Sequence, residues 1–256
     1  MTAFAVSCRA ALTATLLIAC AGAARADEAL VAVAANFANA VEAISAAFTA
    51  DTGHTLQITT GATGKLYAQI SEGAPFQVML SADVKTPARI EEEGLGVAGS
   101  TFTYAVGKLV LWSPDAGRIS DDPKAALEAV DTLFIAIANP DVAPYGVAAR
   151  EALQALGVWD AVQPKIVMGE NIGQTFSMVD TGAAHVGFIA ASAIHGPGIE
   201  PRGSSYDIPQ EMFTPIEQGA VLLNPGKDNV AAVAFLDYLK GDTAKGIIES
   251  FGYGLK

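Results

Sequence analysis

The sequence predicts an α/β protein of two lobes, each a mostly parallel sheet flanked by helices. Three observations predict it. Short apolar runs alternate with longer segments of helical period from residue 29 to the C-terminus, and such alternation lets each strand return parallel to the last with a helix on one face. The alternation runs through twice, with a long apolar stretch in between. Finally, about 230 residues follow the N-terminal segment, enough for a sizeable core or for two lobes.

In order, "LVAVAA" (30–35) is the first strand. "NFANAVEAISAAFTADTG" follows, with Phe37, Val41, Ile44 and Phe48 at helical spacing and Gly53 closing the helix. "TLQITTG" alternates Leu56 and Ile58 with polar neighbours, as a half-buried strand does. "GKLYAQISEG" is a short helix ended by Gly73, "FQVMLSAD" a third strand, and "TPARIEEEG" a helix with Pro87 near its start. "FTYAVGKLVLWSP" is the long apolar stretch. The second round pairs "LFIAIANP" with "YGVAAREALQALG" and "KIVMGEN" with "GQTFSMVDTGA". It continues with the strand "HVGFIAASA" and a looser Pro/Gly/Ser segment from Gly196 to Gln210. The tail supplies a strand, "GAVLLNP", and the helices "NVAAVAFLDYLKG" and "TAKGIIESFG".

The first 26 residues have the pattern of an export signal: Arg9, the apolar run "AALTATLLIACAGAA", and small residues in "ARA" for cleavage after Ala26. A lipid anchor on Cys20 of "LIAC" is the alternative. Cys8 and Cys20, the chain's two cysteines, both lie in this leader. The mature chain therefore has no thiol for disulfides, catalysis or metal binding. Without the leader there are 13 basic and 27 acidic side chains, net −14. Such a charge argues against nucleic acid or an anionic membrane as partner. Any anion site must then work through local dipoles rather than bulk attraction.

No catalytic motif survives inspection. His54, His185 and His195 lack metal-ligand spacing, and no G-x-S-x-G elbow occurs. "GLGVAG" (94–99) follows the acidic end "EEE" rather than a strand, the wrong setting for a dinucleotide fold. "TTGATGK" (59–65) resembles part of a P-loop, but Gly61 stands too close to Gly64, and Leu66 replaces the Mg²⁺-binding hydroxyl. Four strand-to-helix junctions instead carry small or uncharged residues: around Asn36, Thr63, Tyr145 and Ile172. Ordinary N-capping explains any one of them. Four together also describe an oxyanion site, because helix N-termini offer unpaired N–H groups and partial positive charge. In open α/β sheets these junctions gather at the carboxyl edge of the strands. Lys65 reads as a solvated bystander.

The segments "VAANFANAVEAISAAF", "TGHTLQITTGATGKLYAQISEGAPFQVMLSAD", "FTYAVGKLVLWSP", "IANPDVAPYGVAAREALQALG" and "YLKGDTAKGIIESFGYGL" resemble, in order, the periplasmic molybdate-binding proteins (ModA) of molybdate ABC transporters. The resemblance implies a two-lobed periplasmic binding protein of type II with the ligand in the interlobe cleft. Lobe I would be discontinuous (27–106 plus 215–256) and lobe II would span 107–214. It implies molybdate or tungstate held by neutral hydrogen bonds from Asn36, Thr63, Tyr145 and the Ile172 amide, with Ala35 and Gly64 as backbone contacts. Molybdenum or tungsten would enter only as the bound oxyanion. A monomeric, non-enzymatic periplasmic carrier follows, without cofactor or nucleic acid, delivering to a membrane permease. Ala190 stands where another branch of the family has a tyrosine, which places this chain with the branch using Asn and the "PYG" tyrosine. That branch often has threonine where this chain has Ala35. One hydroxyl donor is thereby missing, and chromate, sulfate or phosphate are alternative cargoes. A phosphotransferase on the same scaffold and an anion sensor or adhesin are the alternatives of other classes.

Overall fold

The computed structural model describes residues 26–256; the leader up to Arg25, with Cys8 and Cys20, lies outside the described residues. The chain starts with β1 (Glu28–Ala34), a single 3-10 turn (Ala35–Phe37) and α1 (Ala38–Thr52). It continues through β2 (Thr55–Gly61), α2 (Thr63–Ser71), β3 (Val78–Leu80), α3 (Lys85–Glu92) and β4 (Phe102–Gly107). One residue later comes β5 (Leu109–Ser113), followed by α4 (Pro123–Glu128), β6 (Ile135–Ala138), α5 (Pro144–Ala155) and α6 (Trp159–Val162). Then come β7 (Ile166–Gly169), α7 (Ile172–Asp180), β8 (Val186–Ala190) and β9 (Ser204–Asp207). The chain returns to β10 (Ile216–Leu222), α8 (Val230–Leu239) and α9 (Asp242–Ser250).

Two five-stranded sheets result, β2-β1-β3-β10-β4 and β7-β6-β8-β5-β9. Both have a parallel half, β2-β1-β3 and β7-β6-β8. Both are completed by antiparallel strands that carry the chain between lobes. The apolar stretch 102–114 is thus two strands, and the crossing falls at Lys108. A Cβ on Gly107 would lie 2.2 Å from the Tyr145 hydroxyl, so only glycine permits that approach at the crossing. The loose segment contributes the short strand β9, whose polar sequence SSYD pairs along β5.

Strands β6 and β8 are buried at every residue, as parallel strands covered on both faces must be. In the first sheet, Val41, Ile44 and Phe48 of α1 pack with Phe235 and Leu236 of α8 and Ile248 of α9 on one face. Leu66 and Ile70 of α2 and Ile90 of α3 cover the other. A fully buried side chain of this size contributes about 1.5–3 kcal/mol, so the four-residue stripe Phe37, Val41, Ile44 and Phe48 is a large part of what docks α1. Across the cleft, Ala34, Ala62 and Ala82 belong to the same apolar cluster as Ala138, Ala143, Tyr145 and Ile172 of the second lobe. The lobes therefore meet in a closed arrangement, and small side chains let them approach.

Candidate ligand-binding site

The carboxyl ends of β1, β2, β6 and β7 all point into the cleft, so the junctions that follow them converge there. Between them lies a small cavity of about 10 Å³. Ala35, Asn36, Thr63, Tyr145 and Ile172 all line it, and none of its twelve lining residues is charged. Gly64 is the expected contact that the structure leaves outside. Its N–H donates to the Val142 carbonyl of the opposite lobe at 2.9 Å, so that amide is used in lobe–lobe contact rather than in the cavity.

Capping does not explain the polar residues at the first two junctions. Neither α1 nor α2 has a side-chain cap, nor does α5; Asn171 alone of the four junctions caps its helix, accepting from Gln174 N. Thr63 Oγ1 instead accepts from the Ala82 N–H at 3.1 Å, which leaves the hydroxyl proton to donate elsewhere. Thr63 and Ile172 are the first residues of α2 and α7, where backbone N–H groups have no intrahelical acceptor and the helix dipole is positive. Seven of the twelve lining residues are Ala, Gly or Pro, and set among them are the side chains of Asn36, Thr63, Tyr145 and Asn171 and the helix-start N–H groups. That is a neutral cage suited to a compact oxyanion.

Behind this wall is a buried network that the sequence reading did not find. Asn36 Nδ2 donates to Gln218 Oε1 at 2.8 Å and to the Tyr253 hydroxyl at 3.1 Å. Tyr104 donates to Gln218 Oε1 at 3.0 Å, and Gln218 Nε2 reaches the Tyr145 hydroxyl at 3.4 Å. Tyr253 donates to the Asn36 carbonyl at 2.6 Å, as does Ser192 at 2.9 Å. Burial is the main cause that pushes the Tyr104, Tyr145 and Tyr253 phenols well above their usual range, so all three are protonated donors at neutral pH. One signal was available: Gln218 is a lone amide in an apolar strand and is followed by glycine, the mark of a bulge. The register of β10 indeed shifts between Gln218 and Gly219.

Lys65 stays outside the cavity lining and half exposed, but it has a partner in the other lobe. Its Nζ lies 2.9 Å from Glu170 Oε2 across the cleft, with side chains 48% and 68% exposed. Beside the cavity, sharing Thr63, Ala82, Ala143 and Pro144 with it, runs a groove of about 520 Å³. His54, His185 and His195 take no part in either. Among the described residues no cluster of three His, Cys, Asp or Glu is placed to hold a metal ion.

Two α/β lobes closing on a small, uncharged cavity define a solute-binding protein. The model of the bacterial extracellular solute-binding proteins matches residues 29–254, and the chain belongs to that family. Within it the chain belongs with the molybdate-binding proteins ModA. It is 47% identical to the molybdate-binding protein ModA of Rhodobacter capsulatus over 99% of both chains, and 48% identical to that of Azotobacter vinelandii over 94% of both. The solved periplasmic molybdate-binding protein of A. vinelandii superposes with a TM-score of 0.85 at 38% identity, over 89% of this chain and 99% of that one.

Proposed function

We propose that this protein captures molybdate, and tungstate with it, in the periplasm and delivers it to the permease of an ABC transporter. The observation that carries this reading is the small neutral cavity between the lobes, walled by Asn36, Thr63, Tyr145 and the starts of α2 and α7. About six charge-assisted bonds at roughly 1.5–3 kcal/mol each amount to some 9–18 kcal/mol gross. Association costs leave micromolar to nanomolar binding. Donors spaced for long metal–oxygen bonds cannot all reach a smaller tetrahedron such as sulfate, and a buried donor left unpaired penalises the wrong ion. The site as read needs no resident cofactor and performs no reaction; the protein acts as a monomer and does not engage nucleic acid. Lobes of 27–106 plus 215–256 and of 107–214 put both chain crossings beside Tyr145 and Gln218, where closing could be felt.

The relatives' names support the cargo, and the net charge of the chain supports a carrier whose anion selectivity is local. Among the described residues no helix is long and apolar enough to cross a membrane, which accords with export as a separate domain. Isothermal titration with molybdate, tungstate, chromate, sulfate and phosphate tests the proposal. Heat with molybdate and tungstate, and little with sulfate, is expected; no molybdate heat at micromolar protein would overturn it.

A further inference from the structure

Asn36 is 7% exposed and lines the cavity, yet its Oδ1 is buried with no hydrogen-bond partner. Both bonds of Nδ2 go to Gln218 and Tyr253, neither of which lines the cavity. In this arrangement the amide's donor edge is tied to the protein interior and its acceptor edge is the unpaired one. An acceptor edge is the wrong one to offer an oxyanion, which needs a donor. Gln218 is fully buried; its Oε1 also accepts from Tyr104 at 3.0 Å, and its Nε2 lies 3.4 Å from the Tyr145 hydroxyl. Its Oε1 lies 2.8 Å from Asn36 Nδ2, so turning Asn36 over would set two amide oxygens against each other unless Gln218 turned as well.

Building on the oxyanion reading, we propose that Gln218 is a positioning residue that sets which edge of the Asn36 amide faces the anion, and that the two amides turn over together when the anion enters. After the turn Gln218 Nε2 donates to Asn36 Oδ1, the orphaned acceptor is satisfied, and the Tyr104 hydroxyl, which loses Gln218 Oε1, donates to the Ser81 carbonyl 3.2 Å away. Asn36 Nδ2 is released to the anion. Gln218 Oε1 then faces the Tyr145 hydroxyl from the far edge of hydrogen-bond range, while the dianion is the stronger acceptor for that phenol proton. The exchange joins Asn36 of one lobe to Tyr145 of the other through a side chain that contacts neither ligand nor solvent.

Two substitutions separate this role from simple support of the fold. Gln218→Met keeps the length but removes both polar edges. Gln218→Glu keeps the shape, and its ionised form can only accept, so it locks Asn36 with Nδ2 turned inward. The titratable groups facing the introduced carboxyl are the phenols of Tyr104 and Tyr145 and, through Asn36, Tyr253; Asp83 acts on Tyr104. Burial keeps the three phenols protonated between pH 6 and pH 9, so the new carboxyl titrates alone. Molybdate affinity is measured by titration calorimetry on the full mature chain at several pH values, with thermal melts confirming folding. The expected result is a loss of about tenfold for Gln218→Met. Gln218→Glu should lose on the order of 100-fold or more at pH 8.5 and recover as pH falls, because the protonated carboxyl can again donate to Asn36. Wild-type binding should stay level over the same range. Wild-type affinity in a folded Gln218→Met variant, or a loss in Gln218→Glu that does not change with pH, overturns the proposal and leaves the oxyanion reading intact. Failure of the wild-type protein to bind molybdate overturns that reading instead.

Discussion

Of the hollows in the interlobe cleft, two that share a wall differ most sharply, and the larger of them is the less informative. The groove of about 520 Å³ is bordered by Asp83, Asp141, Glu151 and Glu217 against a single lysine, Lys85. The cavity next to it is about 10 Å³ and has no charged lining residue. For a chain of net charge −12, the groove repeats the character of the whole surface, whereas the cavity departs from it. Uncharged donors backed by a buried hydrogen-bond network, rather than volume or field, distinguish a place for an anion.

The largest expected effect sets one hollow against the other. Asn36→Asp places a carboxylate beside the bound dianion in the small cavity, and molybdate affinity should fall by about a thousandfold or more, since like charges opposed in a desolvated site cost several kcal/mol. Asp141→Asn alters the charge of the groove by the same amount, one unit, and should leave affinity within about threefold, because exposed charges are screened. Titration calorimetry on both variants decides it. Equal effects would mean that the cavity holds no anion.

A smaller effect tests the cavity from within. Thr63→Ala removes a hydroxyl that accepts from Ala82 N and leaves that buried amide unsatisfied. Affinity should fall by about 10- to 100-fold, and the melting temperature should drop slightly. Tyr145→Phe, which keeps the ring in its buried place, should lose nearer tenfold. A Thr63→Ala variant that binds as tightly as the parent would remove the hydroxyl from the cage.

Much of this was legible in the sequence, for a physical reason. Alternation, helical stripes and junction chemistry are local properties, so the two lobes and Asn36, Thr63, Tyr145 and Ile172 could be read along the chain. What was not legible arises from meetings between distant segments. Gly107 lies inside what reads as one long apolar stretch, and only the fold shows that its lack of a Cβ makes room for the hydroxyl of Tyr145. Gly64 was read as a ligand amide, but a carbonyl from the other lobe takes its proton. The network of residues 36, 104, 145, 192, 218 and 253 is scattered over more than 200 positions, and no window along the chain could bring its members together.

Lys65 gives the finest test of the comparison, because it is a cation at the start of a cavity-lining helix, next to Thr63 and Gly64. If bulk attraction captured the anion, neutralising Lys65 would hurt as much as losing Thr63. Its charge, however, already faces Glu170 at 2.9 Å, and both side chains are substantially exposed. Pairs of this kind contribute well under 1 kcal/mol after screening. Lys65→Met should therefore change the equilibrium affinity by no more than about threefold. Because the pair spans the two lobes, the change should appear mainly as faster release, and it should shrink as salt is raised. Stopped-flow fluorescence at low and high ionic strength reads both quantities. A tenfold or greater loss that persists in high salt would transfer the selectivity from the neutral donors to the lysine.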